Sequence, residues 1–248
     1  MSTIKHRDLS YQKGMLDTPY LNQLKRVIAT SFSKVEVEHY FALYFEKGES
    51  TKRRLRLFLS GGDIIGYCLL TFDDSNKDVC IVGASAAFLP DFRGKNSTFR
   101  FSLIEVLKRY IRNPCRKLLY ADTMLSPAMF RAMAKNIAEV YPNNLPQNSA
   151  IATLYDTINP VGLVSPHNGL RCLKVVGRKT NYSEAEIARF RESSKTEISL
   201  YCSVNPDFDK GIALVAIIPI TMKQFVLTFK KLVLNKLWST WSTWSTLE

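Results

Sequence analysis

The sequence predicts an α/β chain of the α+β type, with a central mixed sheet flanked by helices and extra elements towards the C-terminus. Three observations lead there. Between Arg54 and Leu89 three apolar runs follow one another through polar or glycine turns, as a strand meander does. The third of them, Val79 to Leu89, passes through a short basic loop into an amphipathic helical run, Phe99 to Ile111. A further apolar run, Lys117 to Leu125, leads into a further helix.

The elements follow in order. Thr18-Pro19 reads as a helix start, with Thr at the cap and Pro in the first turn, and Leu21, Leu24, Val27 and Ile28 then fall at helical spacing. A second helix is expected from Lys34 to Glu46, with Val37, Tyr40, Phe41, Tyr44 and Phe45 as its apolar stripe. Arg54 to Leu59 alternates, Gly61-Gly62-Asp63 makes a hairpin turn, and Ile64 to Phe72 returns. After the polar turn Asp73 to Asp78 comes the third strand. The helix that follows the basic loop buries Phe99, Leu103, Val106, Leu107, Tyr110 and Ile111 and ends at Asn113-Pro114. Lys117 to Leu125 is the next strand. Ser126-Pro127 opens a helix with Met129, Phe130, Met133 and Ile137 facing inward, and Pro142 to Gln147 breaks the pattern. The central strands are therefore expected at Ile64–Phe72, Val79–Leu89 and Lys117–Leu125. Beyond residue 150, strands are expected at Leu170–Lys179, Ile198–Val204 and Gly211–Ile220, with a polar helical insertion at Ser183–Glu197. The domain is drawn as residues 1–220. Residues 221–248 form an amphipathic helix, Met222 to Leu237, read as a terminal helix docked on the core or, alternatively, as an interfacial membrane helix with Trp238, Trp241 and Trp244 of the Trp-Ser-Thr tail as anchors.

The chemistry is concentrated in Arg93-Gly94-Lys95-Asn96-Ser97-Thr98. A strand, a turn of small residues and a helix N-terminus make an anion site. The first helical turn has unpaired N–H groups and the positive end of the dipole, so phosphate binds there readily. Arg93 and Lys95 add charge, and Arg can grip phosphate bidentately.

This segment resembles the acyl-CoA-binding turn of the GCN5-related N-acetyltransferase (GNAT) superfamily, Gln/Arg-x-x-Gly-x-Gly/Ala, often Arg-Gly-x-Gly-x-Gly. Arg93 and Gly94 match, while Asn96 and Thr98 replace the two signature glycines. The order helix, helix, strand, strand, strand, loop, helix, strand, helix is also the GNAT order, over roughly residues 15 to 142. Asp122-Thr123 resembles a family Leu-Asp-Thr on the strand before the last conserved helix. The family's Tyr eleven residues past that Asp, its usual general acid, is Met133 here.

The resemblance implies an N-acyltransferase in which an amine attacks a thioester directly. The donor would be acyl-CoA (acetyl-CoA or longer), with acyl carrier protein as an alternative, bound by Phe88, Leu89, Arg93, Gly94, Lys95, Asn96, Ser97 and Thr98. The thioester arm would lie along Ala87 to Leu89, and the backbone N–H of Phe88 or Leu89 would polarise its carbonyl. Asp122 and Tyr120 alternate on one strand and so share a face; they are the candidate bases. Glu38 and His39 are candidates to line the acceptor site, and His167 sits in an accessible loop. The acceptor is an amine of a small molecule or peptide. An apolar channel walled by Phe88, Met124, Met129, Met133 and the final strand and helix would favour medium or long acyl groups. The competing class is an inactive binding module for a membrane surface or an acidic partner.

Bulk properties bound these readings. A chain of 248 residues with 46% hydrophobic and 11% aromatic residues can bury a real core. Thirty-four Lys and Arg against 22 Asp and Glu give +12, which favours an anionic partner: a CoA or carrier phosphate, or an anionic membrane. The run Lys52-Arg53-Arg54 would suit an acidic carrier. Nucleic acid is disfavoured because no recognition motif accompanies the charge. Five scattered cysteines suit a reducing cytoplasm, and three distant histidines show no metal spacing. The polar first ten residues predict no signal peptide, and no run reaches the ~18 apolar residues of a spanning helix. The expected location is the cytoplasm, with room for membrane association.

Overall fold

The computed structural model describes residues 3–94, 98–145 and 148–244, with side chains up to residue 235. Seven strands form one sheet in the order β1 (Lys5–Tyr11), β3 (Thr51–Ser60), β4 (Asp63–Asp73), β5 (Val79–Phe88), β6 (Lys117–Met124), β9 (Ile212–Ile220), β7 (Leu173–Val175). Every neighbouring pair is antiparallel except β5 and β6. A second small sheet joins β2 (Phe32–Ser33) to β8 (Lys179–Thr180). The three strands expected at the centre are β4, β5 and β6, and they lie there.

Two apolar clusters face the two sides of this sheet. On one side α1 (Thr18–Ser31) and α2 (Val37–Phe41), which continues as a π-helical turn through Glu46, pack Leu24, Ile28, Tyr40 and Phe45 onto Leu55, Leu57, Tyr67 and Leu69. On the other side lie α3 (Phe99–Arg112), α4 (Pro127–Ala134), α5 (Ser149–Ile158) and α7 (Thr196–Val204). Strand alternation explains the division. In β4, Tyr67 and Leu69 point to the first cluster and Cys68, Leu70 and Phe72 to the second. From α1 to α4 the element order is the one the GNAT resemblance implies.

The hairpin at Gly61-Gly62 has φ of 63° and 99°, the left-handed pair that a two-residue turn between twisted strands demands. Ser126 caps α4 as expected, its oxygen accepting from the Met129 N–H. At α1 the cap is Asp17, one residue earlier than expected, with Thr18 and Pro19 inside the first turn.

Several expectations are corrected. Ile198–Val204 is helix, not strand. Its alternating Ile198, Leu200, Cys202 and Val204 suggested a strand, but the residues buried are Ile198, Tyr201 and Val204, one helical turn apart. Tyr201 donates to the Met124 carbonyl at 2.7 Å and packs on Phe130, which seats α7 against α4. The Leu170–Lys179 run yields only the three-residue β7 and one residue of β8. The insertion helix is shorter than expected: α6 spans Glu184–Arg191, with a capping box between Ser183 and Glu186. β1 and α5 were not expected at all. β1 is an edge strand with a mostly exposed, polar sequence, so it carries little apolar signal.

The last helix, α8 (Met222–Trp244), follows β9 and lays Phe225 against Tyr110 of α3. Gln224 and Thr228 are buried and bonded to Glu139 and Ala138. Met222, Val226, Phe229 and Val233 form an exposed stripe on it. The side chains of Trp238, Trp241 and Trp244 lie outside the described residues. No helix among the described residues is long and apolar enough to cross a membrane.

Candidate active site

β5 and β6 pair for only four residues, from Val79 opposite Lys117 to Val82 opposite Tyr120. β5 then continues along β4 and β6 along β9, so the two part and leave a gap. Asp122 bridges it. Its Oδ2 accepts from the Ala84 N–H at 2.8 Å and its Oδ1 from the Thr123 N–H at 2.7 Å. Burial pushes this carboxyl up to about 7, against the pull of those two N–H groups and of the Arg178 guanidinium. The Ala84 N–H faces β6. By strand alternation the backbone groups of Ala86 and Phe88 turn the same way, where β6 has already left.

Three cavities meet around this gap. One of about 120 Å³ lies between α3, α4, β9 and α8, with Leu103, Tyr120, Met133, Ile220 and Phe225 among its walls. One of about 270 Å³ runs along β5 from Ala84 to Phe88 and is bounded by Tyr40, Arg93, Ser126, Arg178 and Tyr182. The two share Ala84, Ala86, Thr98, Met129 and Ala132. A third, about 480 Å³, opens on Asp122 from the side of Tyr44, Gly83, Asn159 and Lys174, and shares Tyr44 and Thr123 with the second.

The middle cavity has an ordered polar wall. Ser85 Oγ lies 2.5 Å from the Tyr40 hydroxyl and 2.9 Å from that of Tyr67, and the two tyrosines are 3.1 Å apart. Burial pushes Tyr40 up to about 12 and Tyr67 well above the ordinary phenol range, so both hold their protons. Arg178 lies over the rings of Tyr40 and Tyr44, at 4.9 and 5.2 Å, and donates to the Tyr44 hydroxyl at 2.6 Å. On the opposite wall the hydroxyls of Tyr182 and Ser126 are hydrogen-bonded.

The residues singled out in the sequence fare unequally. Asp122 and Tyr120 flank the gap. Burial, and then the neighbouring Asp122 carboxyl, raise the Tyr120 phenol well above its ordinary value, so it is a donor rather than a base. Of the two N–H groups considered for the carbonyl, that of Leu89 is engaged by the Ile65 carbonyl at 2.9 Å, which leaves Phe88. The Phe88 carbonyl accepts from Ser31, and its ring lies on Gly66 and Phe58.

Arg93 lines the middle cavity, but its guanidinium donates to the Asn181 carbonyl at 2.9 Å and the Ser31 carbonyl at 3.5 Å and lies over Tyr182. It pins the loop to the segment before α6. Gly94 has φ of 73°, and Thr98, at the α3 cap, makes no side-chain cap bond. Lys95, Asn96 and Ser97 lie outside the described residues. Glu38 and His39 are exposed on α2 and line none of the three cavities; Glu38 pairs with Lys25. His167 stands apart in the Ser165–Gly169 turn. Met124 is wholly buried in the core and walls none of these cavities. The run Lys52-Arg53-Arg54 is not a free basic patch: Arg53 is buried against the carbonyls of Tyr44, Lys47 and Thr51, and Arg54 pairs with Glu105. Tyr40, Ser85, Arg178 and Tyr182 were missed as site residues.

No family model matches this sequence. No curated protein matches it either. Among solved structures, the chain is similar to the ribosomal-protein-S18-alanine N-acetyltransferase of Escherichia coli, with 12% identity over 88% of this chain and 96% of that one and a TM-score of 0.39. The catalytic domain of the Tetrahymena GCN5 histone acetyltransferase, in complex with coenzyme A, is similar at 15% identity, 59% and 82% coverage and a TM-score of 0.37. A GNAT family acetyltransferase from Elizabethkingia anophelis with acetyl-CoA bound gives 14%, 58% and 89%, and 0.34.

Proposed function

We propose that this protein is an N-acyltransferase that moves an acyl group from a CoA thioester to an amine by direct attack. The observation that carries the reading is the gap after Val82 and Tyr120, with Asp122 held across it between two chambers. The donor lies along β5 in the middle cavity. There the N–H groups of Ala86 and Phe88 are turned to meet its polar atoms, and that of Ala86, the nearer of the two to Asp122, polarises the thioester carbonyl. The amine enters from the third cavity and meets Asp122. A carboxylate with a pKa near 7 removes the ammonium proton at neutral pH and is regenerated afterwards. The nitrogen–carbonyl bond forms, the carbon–sulfur bond breaks, and the thiolate takes a proton. Met133 cannot supply it. Tyr182, protonated and hydrogen-bonded to Ser126 in the donor cavity, is placed to do so.

The test is transfer from acetyl-CoA to a panel of amines, read as free thiol released, in wild type and Asp122→Asn. The carboxamide oxygen still accepts from Ala84 but takes no proton. We expect kcat to fall about 10²–10⁴-fold while donor binding persists. Full activity in the variant would sink the assignment.

The exposed stripe on α8, flanked by Lys223 and Lys230, favours a second reading, a binding module for an anionic membrane surface. Sedimentation with anionic but not neutral vesicles, together with no transfer to any amine, would favour it.

A further inference from the structure

We propose that the 120 Å³ cavity beneath α4 is an acyl-chain pocket, so that the donor carries a medium chain of about six carbons rather than acetyl alone. The inference rests on the acyltransfer reading and specifies its donor.

Four observations carry it. First, the cavity adjoins the chamber along β5, with Ala84, Ala86, Thr98, Met129 and Ala132 bordering both. An acyl group whose thioester lies at Ala86 therefore has an apolar space beside it. Second, the far walls are hydrocarbon: Leu103 and Val106 of α3, Met133 of α4, Ile218 and Ile220 of β9, and Phe225 of α8. Water there would lack the two to four polar partners it needs.

Third, the polar lining is largely committed. Gln224 is bonded to both the N–H and the C=O of Glu139, and Thr228 accepts from Ala138. The Tyr120 hydroxyl stands beside the Asp122 carboxyl, so the lining offers a ligand few free polar groups. The two amides of a pantetheine arm would be left unsatisfied there. Fourth, the size is bounded. Apolar cavities of roughly 150 Å³ hold a benzene-sized guest, so this one takes about six carbons.

Met133 and Met129 make the wall adaptable, since an unbranched thioether side chain repacks around a guest. Met133 stands where the resembled family has a proton-donating Tyr. The same exchange that removes the acid opens an apolar wall.

Isothermal titration of the full chain with CoA, acetyl-CoA, hexanoyl-CoA and palmitoyl-CoA tests the proposal. Four more buried methylenes should tighten hexanoyl-CoA over acetyl-CoA at least tenfold, with palmitoyl-CoA no tighter than hexanoyl-CoA. Filling the pocket from either wall, by Met133→Phe or Val106→Phe, should abolish the difference between hexanoyl and acetyl. Equal binding of acetyl- and hexanoyl-CoA would overturn the pocket and leave acyl transfer standing. A hexanoyl preference that survives in a folded filled variant would place the chain elsewhere and overturn it too. Binding of none of the four would overturn both this inference and the acyltransfer reading.

Discussion

Asp122 is the residue on which the proposed chemistry turns. A carboxyl between two parting strands is desolvated, and two backbone N–H groups hold it there without wholly offsetting that cost. The stability consequence has a definite sign. The folded protein binds this proton more tightly than the unfolded chain. Stability therefore falls as pH rises from the ordinary carboxylate range to about 7, and this contribution is constant above. Thermal melts should show that decline in the wild type and a flatter profile in Asp122→Asn. Arg178 opposes the shift, since its cation favours the ionised carboxylate. Arg178→Met should therefore move the midpoint of any Asp122-dependent titration to higher pH; an unmoved midpoint would remove Arg178 from the electrostatics of the site. Gly66 bears on the donor wall. A Cβ there would lie 2.2 Å from the Phe88 ring, so Gly66→Ala must displace that ring from the end of β5. Overpacking of this kind costs about 1–3 kcal/mol, read as a lower denaturation midpoint, and donor affinity should fall with it.

At the scale of elements, much was legible because local pattern and tertiary role agree. The meander and the strand carrying Asp122 place their apolar residues in the core as expected. In α3 the expected face is only half-buried: the residues fully buried are Phe101 and Glu105, the latter paired with Arg54, and Ile111 is exposed. The failures have physical reasons. Ile198 to Val204 satisfies both periods in sequence, and only packing against α4 selects the helix. β7 is too short to carry a period and is fixed from outside. Buried Asn159 donates to the carbonyls of Arg171 and Leu173, tying the end of α5 to that edge. Asn159→Ala should cost about 1–3 kcal/mol, since it takes the amide donor from the Arg171 carbonyl and leaves the Leu173 carbonyl with the Leu163 N–H alone, and urea melts will show it. A variant as stable as wild type would mean that β7 holds its place unaided. Arg178 was illegible for the same kind of reason: its partner Tyr44 is 134 residues away, and nothing in its neighbourhood announces the contact. Arg93 was legible as a site residue by its place in the loop, yet its contacts with Ser31 and Asn181 are visible only in three dimensions.

Across the whole molecule, the gap between β5 and β6 gathers residues from α1, α2, both sides of the sheet and the segment between β7 and β8. Two chambers meet where the sheet fails to close, and under the proposed function they would let donor and amine approach one carbonyl from different sides. The excess of positive charge, +12, suits a donor rich in phosphate and predicts that its binding weakens as salt rises. The most direct measurement is the pH dependence of kcat for acyl transfer from a CoA thioester to an amine, in wild type and in Asp122→Asn. The rate should rise through about pH 7 in the wild type as Asp122 loses its proton. The variant should bind the donor but show neither the rate nor the rise. A variant with the wild-type rate and the wild-type profile would contradict the account.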